Sequence, residues 1–111
     1  MKIKAIFHID EEEKWGLLLG NVKNLLKEVT DSEIEVVANG VAVRGYLKSD
    51  THFKAEMEGL AGQKVRFCAC RNSLRSLQLG QDDLLDFVMI VPAGVKELVE
   101  RQLDGFAYIK P

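Results

Sequence analysis

Lys64-Val65-Arg66-Phe67-Cys68-Ala69-Cys70-Arg71-Asn72-Ser73 is the stretch on which the fold turns. Residues 64–70 read as a strand. Asn72 and Ser73 offer helix caps directly after it, with a short helix over 73–79 that stops at Gly80. A strand that passes at once into a helix is half of a βαβ unit, so the fold depends on whether the pattern repeats along the chain.

It repeats in both directions. Upstream, Ile3, Ala5, Phe7 and Ile9 alternate along a first strand, and Asp10-Glu11-Glu12-Glu13 suits the start of a helix in capping and dipole terms. Trp15, Leu18, Leu19, Val22, Leu25, Leu26 and Val29 then form one apolar helical stripe. Thr30-Asp31-Ser32 breaks it, and Ile34-Glu35-Val36-Val37-Ala38 reads as the second strand, ending at the turn-former Asn39-Gly40. Residues 41–61 are less regular: Val43, Tyr46 and Leu47 suggest one short helix and Phe53, Met57 and Leu60 another, parted by Ser49-Asp50-Thr51. Downstream, 87–91 is all apolar and is expected at the centre of a sheet. After Pro92-Ala93-Gly94, the residues Val95, Leu98, Val99, Gln102 and Leu103 give a last helical stripe, and Gly105 releases a short strand over 106–109. The expectation is one α/β domain over residues 1–111: a mostly parallel five-stranded sheet, helices on both faces, in the flavodoxin-like strand order.

Composition narrows the function. Hydrophobic residues make up 47% of the chain, enough for one core. The net charge of −2, with 15 basic residues interspersed among 17 acidic ones, offers no basic stripe and argues against nucleic acid. The apolar runs fall well short of the roughly 20 residues that cross a bilayer, and the first residues read as a strand rather than a leader, which points to the cytoplasm. Two cysteines separated by one residue cannot staple a fold and are expected to stay reduced there.

In an open α/β sheet ligands bind beyond the carboxyl ends of the strands. That rule selects His8 and Asp10 at the end of the first strand, Asn39 and Gly40 after the second, Cys70 and Asn72 after the third, with Arg71 between them, and Pro92 to Gly94 after the fourth. Of these only Cys70 is a strong nucleophile. It shares a strand face with Cys68 but sits at the mouth, where a helix N-terminus and the charges of Arg71 and Arg75 favour a thiolate able to carry sulfur. Both thiols packing as small hydrophobes is the plainer alternative. No metal is expected: Cys68, Cys70, His8 and His52 would have to converge from distant segments, and structural zinc usually shows Cys-x-x-Cys pairs. No cofactor is expected either, because Asp10 to Glu13 stand where a phosphate would need glycines and backbone donors. A non-catalytic oligomeric module that binds a small molecule at the strand ends stays open beside sulfur transfer.

Several segments carry a family resemblance: Phe7-His8-Ile9-Asp10, Val37-Ala38-Asn39-Gly40, Phe67-Cys68-Ala69-Cys70-Arg71-Asn72-Ser73-Leu74, Val91-Pro92-Ala93-Gly94-Val95 and Gly105-Phe106-Ala107-Tyr108-Ile109-Lys110-Pro111. Over nearly its full length the chain resembles the small stand-alone DsrE/DsrF-like proteins, which are related to the sulfur-relay subunits of DsrEFH and TusBCD. That resemblance implies a flavodoxin-like fold and homo-oligomers, commonly trimers or hexamers. It further implies sulfur donor and acceptor proteins as partners, and a persulfide-carrying cysteine after the third strand, which Cys70 resembles. Asn72-Ser73-Leu74-Arg75 stands where the relay subunits have alanine-rich helices.

Overall fold

The computed structural model describes residues 2–50 and 52–111. Strands and helices alternate throughout: β1 (Ile3–Ile9), α1 (Trp15–Glu28), β2 (Ser32–Ala38), α2 (Lys54–Gly62), β3 (Arg66–Cys70), α3 (Arg71–Ser76), β4 (Val88–Val91), α4 (Gly94–Leu103) and β5 (Ala107–Ile109). Short 3-10 turns occupy Glu12–Lys14, Gly40–Tyr46 and Gln81–Asp83. The first irregular stretch thus becomes a 3-10 turn and the second becomes α2; Thr51, between them, lies outside the described residues.

Period-two alternation divides each strand between two faces. Phe7, Val36, Phe67 and Val88 turn to one face and pack with Trp15, Leu18, Met57 and Leu74 from α1, α2 and α3 in the main core. Ile6, Val37, Cys68 and Val91 turn to the other face, where they meet Leu98 of α4 and Phe106. Helices therefore cover both faces, but the second carries α4 alone. In the main core the Trp15 indole N–H donates to the Ala42 carbonyl at 2.9 Å, and the Tyr46 hydroxyl donates to the Cys68 carbonyl at 3.0 Å. The indole rests on Gly45, where a Cβ would lie 2.2 Å from Trp15 Nε1.

All strand pairings are parallel, in the order β4-β3-β2-β1-β5. The α/β class and the parallel five-stranded sheet are as expected, whereas the strand order differs from the flavodoxin order 2-1-3-4-5. The chain steps from β1 to β4 in one direction, and α4 then carries it back across the second face to the free edge of β1. β4 is consequently an edge strand, not the central one its apolar run suggested. Val88 faces the main core and Val91 faces α4, while Met89 is left 54% exposed.

Two boundaries also move. Lys64 adopts φ +72° and belongs to the turn before β3. α3 starts at Arg71, so Asn72 and Ser73 are its second and third residues and Cys70 occupies the cap.

Candidate functional site

The connection after β3 runs to the main-core side, where α3 inserts Leu74, and the connection after β4 runs to the opposite side, where α4 inserts Leu98. Connections that diverge to opposite faces open a crevice at the carboxyl ends of the two strands, the place where open α/β sheets bind ligands. Cys70, the last residue of β3, sits there against Gly94, the first residue of α4. A Cβ on Gly94 would lie 3.3 Å from Cys70 Cβ and 3.4 Å from Asn39 Cβ, so the missing side chain lets α4 close on the strand ends.

The neutral Cys70 side chain makes no cap hydrogen bond, and its surroundings favour the anion instead. Ser73 Oγ accepts the Gly40 N–H at 2.7 Å, which leaves the hydroxyl proton free for the sulfur. Burial by itself pushes the thiol up. The Ser73 hydroxyl and the N–H groups of Gly94, Ser73 and Asn72 outweigh it and hold Cys70 below the ordinary cysteine range. Arg71 and Arg75 are exposed, and the support for the thiolate comes from the hydroxyl and backbone rather than from their guanidinium groups.

Cys70 is only 6% exposed, so the thiol expected at an open mouth is nearly enclosed. Cys68, two residues earlier on the same face, is 1% exposed, and burial together with the charges of Glu35 and Glu97 pushes its thiol far up. The two cysteines thus have opposite chemistry.

The β-sheet register sets Ala38 beside Ala69, which brings Asn39 next to Cys70. Asn39 Oδ1 lies 3.0 Å from His8 Nε2, and the Tyr108 hydroxyl lies 2.7 Å from His8 Nδ1. An amide oxygen only accepts, so in this arrangement Nε2 donates to Asn39, and the phenol, able to donate or accept, pairs with Nδ1. His8, Asn39, Gly40, Cys70 and Gly94 therefore lie together at the carboxyl ends of the strands. Arg71, Asn72 and Pro92 stand at the exposed rim, Asn72 facing the sulfur through its backbone.

Ser73 and Tyr108 join the site without having been singled out for it. The spacing Cys70 to Ser73 is that of a helix cap and its third residue, a signal hidden by treating Ser73 itself as the cap. Tyr108 reaches His8 only because β5 pairs with β1, 100 residues away in sequence.

Among the described residues, the metal-ligating types that converge are Glu35, Cys68 and Glu97, not the His and Cys set weighed from sequence. His52 packs edge-on against Phe53 instead. Cavities of about 560 and 540 Å³ open beside Lys54 and Phe87 and beside Lys2 and Arg66, and Cys70 lines neither. No helix among the described residues is long and apolar enough to cross a membrane.

A family model described as the DsrE/DsrF-like family matches residues 4–111. Among solved structures, the chain is similar to MTH1491 from Methanobacterium thermoautotrophicum, a protein of unknown function, at 41% identity and a TM-score of 0.93, covering 98% of this chain and 99% of that one. It is also similar to the ychN protein from E. coli, at 17% identity and a TM-score of 0.83 over 100% of both chains, a likeness of fold. None of the curated proteins matches.

Proposed function

This chain belongs to the DsrE/DsrF-like family, and on that footing we propose that it is a sulfur-relay protein that carries persulfide on Cys70. The observation that carries the proposal is the pairing of a thiolate-favouring Cys70 at the topological crevice with an inert Cys68 two residues away. Family membership by itself supports only a fold related to sulfur relay.

In the proposed step the Cys70 thiolate attacks the terminal sulfur of a donor persulfide. A new S–S bond forms as the donor's S–S bond breaks, and the donor departs as a thiolate, so no outside oxidant is consumed. An acceptor thiolate then takes the outer sulfur and Cys70 leaves as a thiolate, its charge received by the Ser73 hydroxyl and the N–H groups of Gly94, Ser73 and Asn72. A site that is 6% exposed suits a donor that presents one sulfur at the end of a slender arm. His8, Asn39, Gly40, Arg71, Pro92 and Tyr108 would shape what docks at the rim, and reduced thiols fit a cytoplasmic setting.

A second copy of the chain is the proposed cover for the second face. Met89, Val95, Val99, Leu103 and Tyr108 are exposed there, on a side of the sheet with one ten-residue helix. Trimers or hexamers are the sizes expected from the resemblance.

The near-enclosure of Cys70 favours one other function, a non-catalytic module that binds a small molecule around His8, Asn39 and Tyr108. Incubation with a small persulfide donor separates the two. Wild type and Cys68→Ser should each gain about 32 Da, one sulfur atom, while Cys70→Ser gains nothing. A Cys70→Ser protein that still gains the mass, or a wild type that never does, removes sulfur transfer from consideration.

A further inference from the structure

The second face holds a cluster that the thiol chemistry does not use. Glu35 in β2 is 1% exposed, and its Oε1 accepts from Arg66 Nη2 at 2.8 Å and Nε at 3.1 Å, with Arg101 Nε at 3.3 Å. Among the described residues its Oε2 has no hydrogen-bond partner. Glu97 of α4, its side chain 13% exposed, binds Arg101 Nε at 3.0 Å. Ligand atoms of Glu35, Glu97 and Cys68 lie within 4.8 Å of one another.

Two ionised carboxylates so close, one of them buried, would repel in a poorly screened interior. A proton on Glu35 Oε2 removes the repulsion and turns an orphan acceptor into a donor beside the Glu97 carboxylate. A divalent cation is the competing occupant, and the guanidinium groups of Arg66 and Arg101, already set against the carboxyls, oppose it.

We propose that Glu35 and Glu97 share one proton that seats α4 on the sheet, and that losing it as pH rises loosens the first turn of α4 and frees Gly94 from Cys70. The consequence for sulfur transfer rests on the persulfide function of Cys70; the proton itself does not. It leaves to water by way of Glu97, the more exposed partner.

The charged and titratable groups facing the pair are Arg66 and Cys68 from β3, Arg101 and, 3.9 Å from it, Asp104 at the end of α4, Lys4 of β1, which donates to the Asp104 carbonyl and lies over the Phe106 ring with Arg101, and Tyr46 behind the Cys68 carbonyl. Burial first, then the hydrogen bond and charge of Glu97, raise Glu35 to about 7 against the pull of Arg66 and Arg101. The hydrogen bond from Glu35 holds Glu97 below the usual carboxyl range. A carboxyl raised in the folded state contributes stability that is whole below its unfolded value and is lost as pH climbs through about 7.

The test is urea unfolding of the full chain from pH 5 to 8.5, with carboxyl-carbon NMR titration of the wild type. The unfolding constant should rise about tenfold per pH unit toward 7 and then level off, one proton being released on unfolding. Glu35→Gln should abolish that slope, because its amide keeps the acceptor for Arg66 and places a neutral donor toward Glu97. Glu97→Gln should move the break to lower pH by removing the like charge. Amide exchange over 94–98 should quicken above pH 7 in wild type relative to Glu35→Gln at the same pH. Carboxyl shifts showing both groups ionised at pH 6 would overturn the proposal even if neither variant folds. So would a wild-type slope retained in Glu35→Gln, or one equivalent of zinc bound by wild type and lost in Cys68→Ala. A wild type that keeps this slope yet never accepts sulfur would sink the persulfide function alone.

Discussion

Replacing Ser73 by alanine removes one oxygen that makes two contacts. The Gly40 N–H it accepts at 2.7 Å lies on an exposed residue and can turn to water, so the stability cost is at most about 1 kcal/mol. The loss to the Cys70 thiolate is larger. Burial opposes that anion, and the Ser73 hydroxyl stands first among the groups that offset it, ahead of three backbone N–H groups that remain in the variant. A hydrogen bond to a charged group is worth about 1.5–3 kcal/mol; the lower end applies where other donors share the charge. About 1.5 kcal/mol is roughly tenfold in the thiolate population at a pH below the midpoint. The weaker acid is also the better nucleophile, which with a Brønsted slope of about 0.45 returns roughly threefold in rate. Alkylation of Cys70 by iodoacetamide, followed peptide by peptide by mass spectrometry, should therefore be about threefold slower well below the midpoint and about threefold faster on the alkaline plateau, its midpoint moved up. Ser73→Thr, which keeps a hydroxyl, should restore the wild-type profile, and Cys68 should stay unmodified throughout. A Ser73→Ala profile that overlays the wild type at both ends would show that the hydroxyl does not act on the sulfur.

Two further outcomes test the framework around the site. Gly45→Ala drives a methyl group to 2.2 Å from Trp15 Nε1, in a core where the indole is tied to the Ala42 carbonyl, and should cost about 3 kcal/mol, the upper end of overpacking; a loss below about 1 kcal/mol in urea unfolding would show that the indole can move aside. Val99→Glu combined with Leu103→Glu places charges on the exposed stripe of α4 and should turn an oligomer into a monomer in sedimentation without changing the circular dichroism, whereas a wild type that sediments as a monomer would refute the proposed subunit contact.

The alternation of strands and helices was legible because periods of 2.0 and 3.6 residues are local properties of the chain. Ile3, Ala5, Phe7 and Ile9 announce β1, and Leu18, Leu19 and Val22 announce α1, whatever surrounds them. The same locality placed Cys70 at a strand end, with His8, Asn39 and Gly94 at the ends nearby. Periodicity does not say which strands become neighbours. The apolar run of β4 looks central, yet the return of α4 across the second face leaves that strand at an edge with Met89 exposed.

What tertiary structure decided lies in contacts between distant segments. Tyr108 meets His8 through the pairing of β5 with β1, and Ser73 meets Gly40 through the turn after β2. Glu35, a polar residue in an alternating strand, has the sequence pattern of a solvated side chain and is instead sealed beneath α4 between Arg66 and Arg101. Local sequence dictates which way a side chain points from its backbone. Its charge state and reactivity depend on what packs against it: the path of α4 brings Glu97 and Arg101 to Glu35, while Cys70 draws on Ser73 and Asn72 of α3 as well as on Gly94 of α4.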